Sequence, residues 1–105
     1  MNPVGIIYTI TCKDISIQEY FMCSTKYTEK YEEKRHKHNC DNGHLFLCKN
    51  YTHTSYNCYN NLDNSLYKYI RDNGGWENWK FTVIEKFYCG EEMKKREHYH
   101  FNKNL

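Results

Sequence analysis

Residues 66–79 read LYKYIRDNGGWENW, the stretch with the most specific local pattern in the chain. Its apolar residues recur at the spacing of one helical face, which predicts a helix that ends at Arg71 and carries Leu66, Tyr69 and Ile70 on one face. The pair Gly74-Gly75 stops this helix, because glycine accepts the backbone angles of a helix C-terminus. Residues 80–87 then alternate between apolar and polar side chains, so a strand follows the turn.

Working outward, the same periodicities predict the remaining elements. Toward the N-terminus they indicate an antiparallel hairpin, formed by residues 6–11 and 15–23, and a helix over residues 27–38. Toward the C-terminus, Gly90-Glu91-Glu92 opens a last helix, with acidic residues placed to suit its positive end. The order of elements is two strands, a helix, a loop, a helix, a strand and a helix, which predicts an α/β fold.

Residues 41–60 interrupt this pattern. They are rich in Asn, Tyr, Thr and Cys without clear periodicity, which predicts a loop insertion with one short strand at residues 45–48. With 105 residues, the chain has the length of one domain, and we expect residues 1–105 to form it.

Composition limits the class of protein. The chain has 11 Tyr, 5 Phe and 2 Trp, which supply large buried areas although the hydrophobic fraction is only 39%. The N-terminal sequence predicts neither a signal peptide nor a membrane span, and we therefore expect an intracellular protein. In that setting the six cysteines are expected to be free thiols, although their even number leaves a disulfide framework open. The net charge of +2 permits nucleic-acid binding without arguing for it.

Four short segments in a fixed order resemble the GIY-YIG endonuclease family over most of the chain. They are Gly5-Ile6-Ile7-Tyr8, Tyr20-Phe21-Met22, residues 66–79 and Arg96-Glu97-His98-Tyr99. The resemblance implies a three-stranded antiparallel sheet flanked by helices, and a domain that hydrolyses phosphodiester bonds of DNA with one bound Mg²⁺ or Mn²⁺ ion. It also implies that Tyr8 and Tyr20 are catalytic, and that Glu97 holds the metal. A hard divalent ion held by one carboxylate and several waters fits that chemistry.

The family's phosphate-binding arginine, expected on the first long helix, has no match in its usual register. An ungapped alignment places Lys30 there, whereas an alignment with two extra residues places Glu32 there, and Arg35 lies one turn further on. Met22 also replaces the glycine of the second motif. We therefore keep two hypotheses: an endonuclease with attenuated activity, or a catalytically impaired domain that binds nucleic acid or a protein partner. We expect Tyr8, Tyr20 and Glu97 to converge on one face of the sheet. A cation beside them favours the enzyme, and Glu32 in that place favours the binder.

A second set of residues has side chains that bind zinc. These lie between the first long helix and the insertion: His36, His38, Cys40, His44 and Cys48, with Cys58 further along. Their spacing matches no standard zinc finger, so structural Zn²⁺ is the minor alternative.

Overall fold

A computed structural model describes residues 3–42, 52–54 and 65–103, with side chains described for parts of these ranges. Its strands are β1 (Gly5–Cys12), β2 (Tyr20–Thr25), β3 (Thr52–Thr54) and β4 (Trp79–Phe87). Its helices are α1 (Glu29–Asp41), α2 (Ser65–Asp72) and α3 (Gly90–Lys103), with a short 3₁₀ turn at Trp76–Asn78.

The three-stranded antiparallel sheet flanked by helices is confirmed. β1 is its central strand and pairs antiparallel with β2 and β4. The short strand β3 adds a fourth member, so the order is β3-β2-β1-β4. β3 lies within the predicted insertion, and the strand predicted at residues 45–48 lies outside the described residues. The β1–β4 register shifts between Ile7 and Tyr8, as a β-bulge does.

The two faces of the sheet carry separate hydrophobic clusters, because successive strand residues point to opposite faces. One face, which we call the α1 face, carries Tyr8 and packs against α1 and α2 through Ile6, Ile10, Phe21, Cys23, Cys40, Tyr67 and Ile70. The other, which we call the α3 face, carries Ile7, Met22 and Phe87 under Met93 of α3. Met22 is therefore a core residue of the α3 face.

Local signals in the sequence explain where the helices begin and end. Thr28 caps α1, since its hydroxyl accepts a hydrogen bond from the Tyr31 amide at 3.2 Å. The turn after α2 has positive φ angles at Gly74 (99°) and Gly75 (76°), where a side chain would be strained. The predicted glycine stop is thus present.

Within the described ranges, none of the helices is long and apolar enough to cross a membrane. Cys12, Cys40 and Cys89 are free thiols, as expected. Cys23 is disulfide-bonded, so the prediction of free thiols was wrong at that residue.

Candidate functional site

Strand β1 and helix α1 bring three polar side chains together inside the protein. The Tyr8 hydroxyl lies 2.6 Å from Glu32 Oε2 and 2.6 Å from His36 Nε2. Glu32 and His36 share one face of α1 because they are four residues apart. All three side chains are buried, with exposed fractions of 0 to 1%.

The hydrogen bonds fix a direction through this cluster. Tyr8 has one hydroxyl proton and donates it to Glu32, so its oxygen accepts from Nε2–H of His36. His36 Nδ1 then accepts from the Tyr67 hydroxyl at 2.7 Å. Burial lowers the pKa of His36 against the opposing effect of Glu32, in keeping with a neutral ring. The result is a chain from Tyr67 through His36 and Tyr8 to Glu32, which we call the buried network.

Arg35 lies at the solvent-facing side of the buried network, next to Glu32. Its guanidinium donates to both carboxylate oxygens of Glu32, at 2.8 and 3.0 Å. Burial alone raises the pKa of Glu32, but hydrogen bonds from His36, Arg35 and Tyr8 outweigh it and lower that pKa to about 2. The Glu32 carboxylate is therefore ionised and paired with Arg35.

These contacts change the role expected for Tyr8. Burial, and then the neighbouring charge of Glu32, raise the pKa of the Tyr8 phenol, which opposes loss of its proton. Its ring stacks on Phe81 with centroids 4.5 Å apart. A fully buried, protonated phenol does not contact a substrate or an attacking water, so Tyr8 serves the core in this structure.

Tyr20 and Glu97 lie on the opposite face of the sheet from Tyr8. Tyr8 pairs with Cys23, whereas Ile7 pairs with Ser24, so Ser24 points to the α3 face together with Ile7. The Ser24 hydroxyl donates to Glu97 Oε2 at 2.6 Å. Tyr20 packs against the cluster of that same α3 face. The expected convergence of Tyr8, Tyr20 and Glu97 is thus not observed.

Glu97 lines a surface cavity of about 690 Å³ together with Val4, Lys26, Gly90, Glu91, Met93 and Lys94. The two lysines balance the two glutamates of this lining, so the cavity lacks the excess negative charge that attracts a divalent cation. Among the described residues, no group of three His, Cys, Asp or Glu side chains is placed to hold a metal ion. Glu97 and Glu91 are the carboxylates of this lining that would hold a divalent ion.

Lys30 lies on the exposed side of α1, whereas Glu32 and His36 point into the core. It lines a second surface cavity, of about 470 Å³, with Gly5, Tyr27 and Lys86 among its neighbours. Of the two cations proposed for phosphate contact, Arg35 reaches the buried network but is paired with Glu32, and Lys30 stays outside it.

The described part of the zinc set is occupied by other contacts. His36 belongs to the buried network, and the Cys40 thiol donates to the Tyr67 carbonyl oxygen at 3.8 Å. His38 is exposed, near Asn42. His44, Cys48 and Cys58 lie outside the described residues.

Sequence reasoning missed the buried network. Its signal was present: Glu32, His36 and Cys40 recur every four residues and form one helical stripe. Such a stripe is hard to interpret, because polar residues at helical spacing usually mark the solvent side. Tyr67, on another helix, gave no local sign that it completes the network.

Comparison of the chain with protein families, curated proteins and solved structures gives no significant match.

Proposed function

We propose that this chain is a nucleic-acid-binding domain of the GIY-YIG type in which phosphodiester hydrolysis is impaired. The ordered motifs and the sheet of β2, β1 and β4 with its helices support the family part of this proposal. The observation that carries the rest is Glu32, which holds a buried carboxylate beside Tyr8, where the family resemblance implies a cation for the phosphate.

A carboxylate at this place opposes hydrolysis for an electrostatic reason. Catalysis of phosphoryl chemistry relies on preorganised positive charge at the phosphate, and loss of one such group lowers turnover about a hundredfold or more. Here Glu32 neutralises the adjacent Arg35 through two hydrogen bonds. The separation of Glu97 from Tyr8 by the sheet further weakens any joint action of these two residues.

The exposed side of α1 supports the binding part of the proposal. Lys30 and Lys34 are exposed, and no described carboxylate lies within ion-pair distance of either ammonium group. Lys37, by contrast, pairs with Asp41 at 2.8 Å. Two unneutralised lysines one helical turn apart are suited to contacts with successive phosphates.

Salt dependence of DNA binding tests this assignment. Each lysine that contacts a phosphate adds about one unit to the slope of log affinity against log salt concentration. We expect the double variant Lys30→Gln/Lys34→Gln to lower that slope by about 2, measured by fluorescence anisotropy with a labelled oligonucleotide.

The matched control is Lys80→Gln/Lys95→Gln, which removes the same charge at exposed positions of β4 and α3 that pair with no described carboxylate. We expect it to leave the slope nearly unchanged. Absence of wild-type binding at low salt would contradict the proposed function. An equal loss of slope in both double variants would contradict the assignment to α1.

A further inference from the structure

Two tyrosines and two lysines are exposed on one side of α1 and of the residues just before it. Lys30, Tyr31 and Lys34 lie on one face of α1, because residues three and four apart are neighbours on a helix. Tyr27 precedes the N-cap Thr28, and its ring lies beside that of Tyr31. This surface, which we call the tyrosine surface, lies away from the buried stripe of Glu32, His36 and Cys40.

The two tyrosine rings are half in solvent. Tyr27 is 50% exposed and Tyr31 is 55% exposed, although their centroids are only 4.8 Å apart. The planes meet at 52°, so the rings touch without covering each other's faces as parallel stacking would. Large aromatic faces left in water beside positive charge are typical of sites that stack nucleic-acid bases.

Arg35 adds charge on the same side. Its guanidinium lies 6.0 Å from the centroid of the Tyr27 ring, at the outer limit for a cation–π contact. Because the Arg35 guanidinium is paired with the Glu32 carboxylate, Lys30 and Lys34 are the groups expected to contact phosphates.

We propose that the tyrosine surface binds single-stranded nucleic acid, with unpaired bases stacked on Tyr27 and Tyr31 and the backbone following Lys30 and Lys34. This inference rests on the proposed nucleic-acid binding and deepens it by naming the form of the ligand. In a duplex the base faces are covered by neighbouring pairs, so rings on a protein surface have nothing to stack on. A single strand offers both base faces and phosphates.

The test compares variants of the two rings. Tyr27→Leu/Tyr31→Leu removes the aromatic faces but keeps apolar side chains, whereas Tyr27→Phe/Tyr31→Phe keeps the faces and removes only the hydroxyls. Binding is measured by anisotropy with a labelled oligothymidine of about 12 nucleotides, a length within the usual site size, and with a duplex of equal length. Tyr88→Leu serves as the matched control, because Tyr88 is 53% exposed and follows β4 outside the tyrosine surface.

The leucine pair is expected to weaken oligothymidine binding about tenfold or more, since stacking on one aromatic ring contributes about that factor per base. The phenylalanine pair and Tyr88→Leu are expected to stay within about twofold of the wild type. Circular dichroism of each variant confirms that α1 is retained.

The outcomes separate this inference from the proposed function. If the wild type binds neither single strand nor duplex, both fail. If it binds nucleic acid but the leucine pair binds oligothymidine as the wild type does, or if the wild type prefers duplex, the single-strand inference alone is overturned. A loss of affinity in the phenylalanine pair equal to that in the leucine pair would also overturn stacking.

Discussion

Replacing Glu32 with alanine is expected to lower the free energy of unfolding by about 3 to 5 kcal/mol, the usual cost of removing one partner from a buried ion pair. Glu32 is 1% exposed and accepts hydrogen bonds from Tyr8 and Arg35 at 2.6 to 3.0 Å. Its removal leaves the Tyr8 hydroxyl without its acceptor in the core. Urea denaturation followed by circular dichroism measures the change.

Glu33→Ala is the matched control for this prediction. Glu33 is the next residue of α1 and is exposed, so its removal is expected to change the free energy of unfolding by no more than about 0.5 kcal/mol. Equal unfolding midpoints for the two variants would show that the buried network contributes no stability of its own.

Acid is expected to destabilise the protein in two stages. His36 is neutral in the fold, because burial lowers its pKa from the ordinary value of 6.5. The unfolded state therefore binds the proton first, and stability falls as the pH drops below about 6.5. The second stage is due to Glu32 and occurs at lower pH. The pKa of Glu32 falls from an ordinary 4.5 to about 2 on folding. Its contribution to the free energy of unfolding is therefore complete above about pH 4.5 and is lost as the pH falls toward 2.

In the Glu32 stage the free energy of unfolding is expected to fall by roughly 3 kcal/mol, because folding lowers the pKa of Glu32 from 4.5 to about 2. Urea unfolding between about pH 8 and about pH 3 measures both stages. Glu85, whose pKa is lowered by its hydrogen bond from Arg96, also contributes to the acid limb, so Glu32→Gln is compared with the wild type. The acid limb of this variant is expected to lack only the destabilisation that is due to protonation of Glu32. Constant stability between about pH 7 and about pH 5 would contradict the role of His36.

The sequence predicted the elements of this fold because their signals are local. The Gly74-Gly75 stop has positive φ angles at both residues, and α1 begins directly after its N-cap, Thr28. Strand positions followed from alternation, although the second strand begins at Tyr20 rather than at residue 15. Ile15 is instead 94% exposed.

The face on which each strand residue lies could not be predicted in the same way. A shift of one residue in register moves a side chain to the opposite face, and the register of β1 against β4 changes between Ile7 and Tyr8. The order of the motifs along the chain therefore did not determine that Tyr8 meets α1 while Glu97 meets Ser24. The place of Met22 was not predictable either, because it packs in the core against Met93. Met22→Gly is therefore expected to leave a cavity there instead of restoring a site.

Nicking of supercoiled plasmid DNA, measured with Mg²⁺ or Mn²⁺ on protein already shown to bind DNA, tests the central claim most directly. The wild type, Glu97→Ala and Lys30→Arg are compared in parallel. We predict that all three leave the plasmid supercoiled, because Glu32 neutralises Arg35 and Glu97 lies across the sheet from Tyr8. Conversion to nicked circles by the wild type, abolished in Glu97→Ala, would contradict the impaired site and establish a metal-dependent endonuclease.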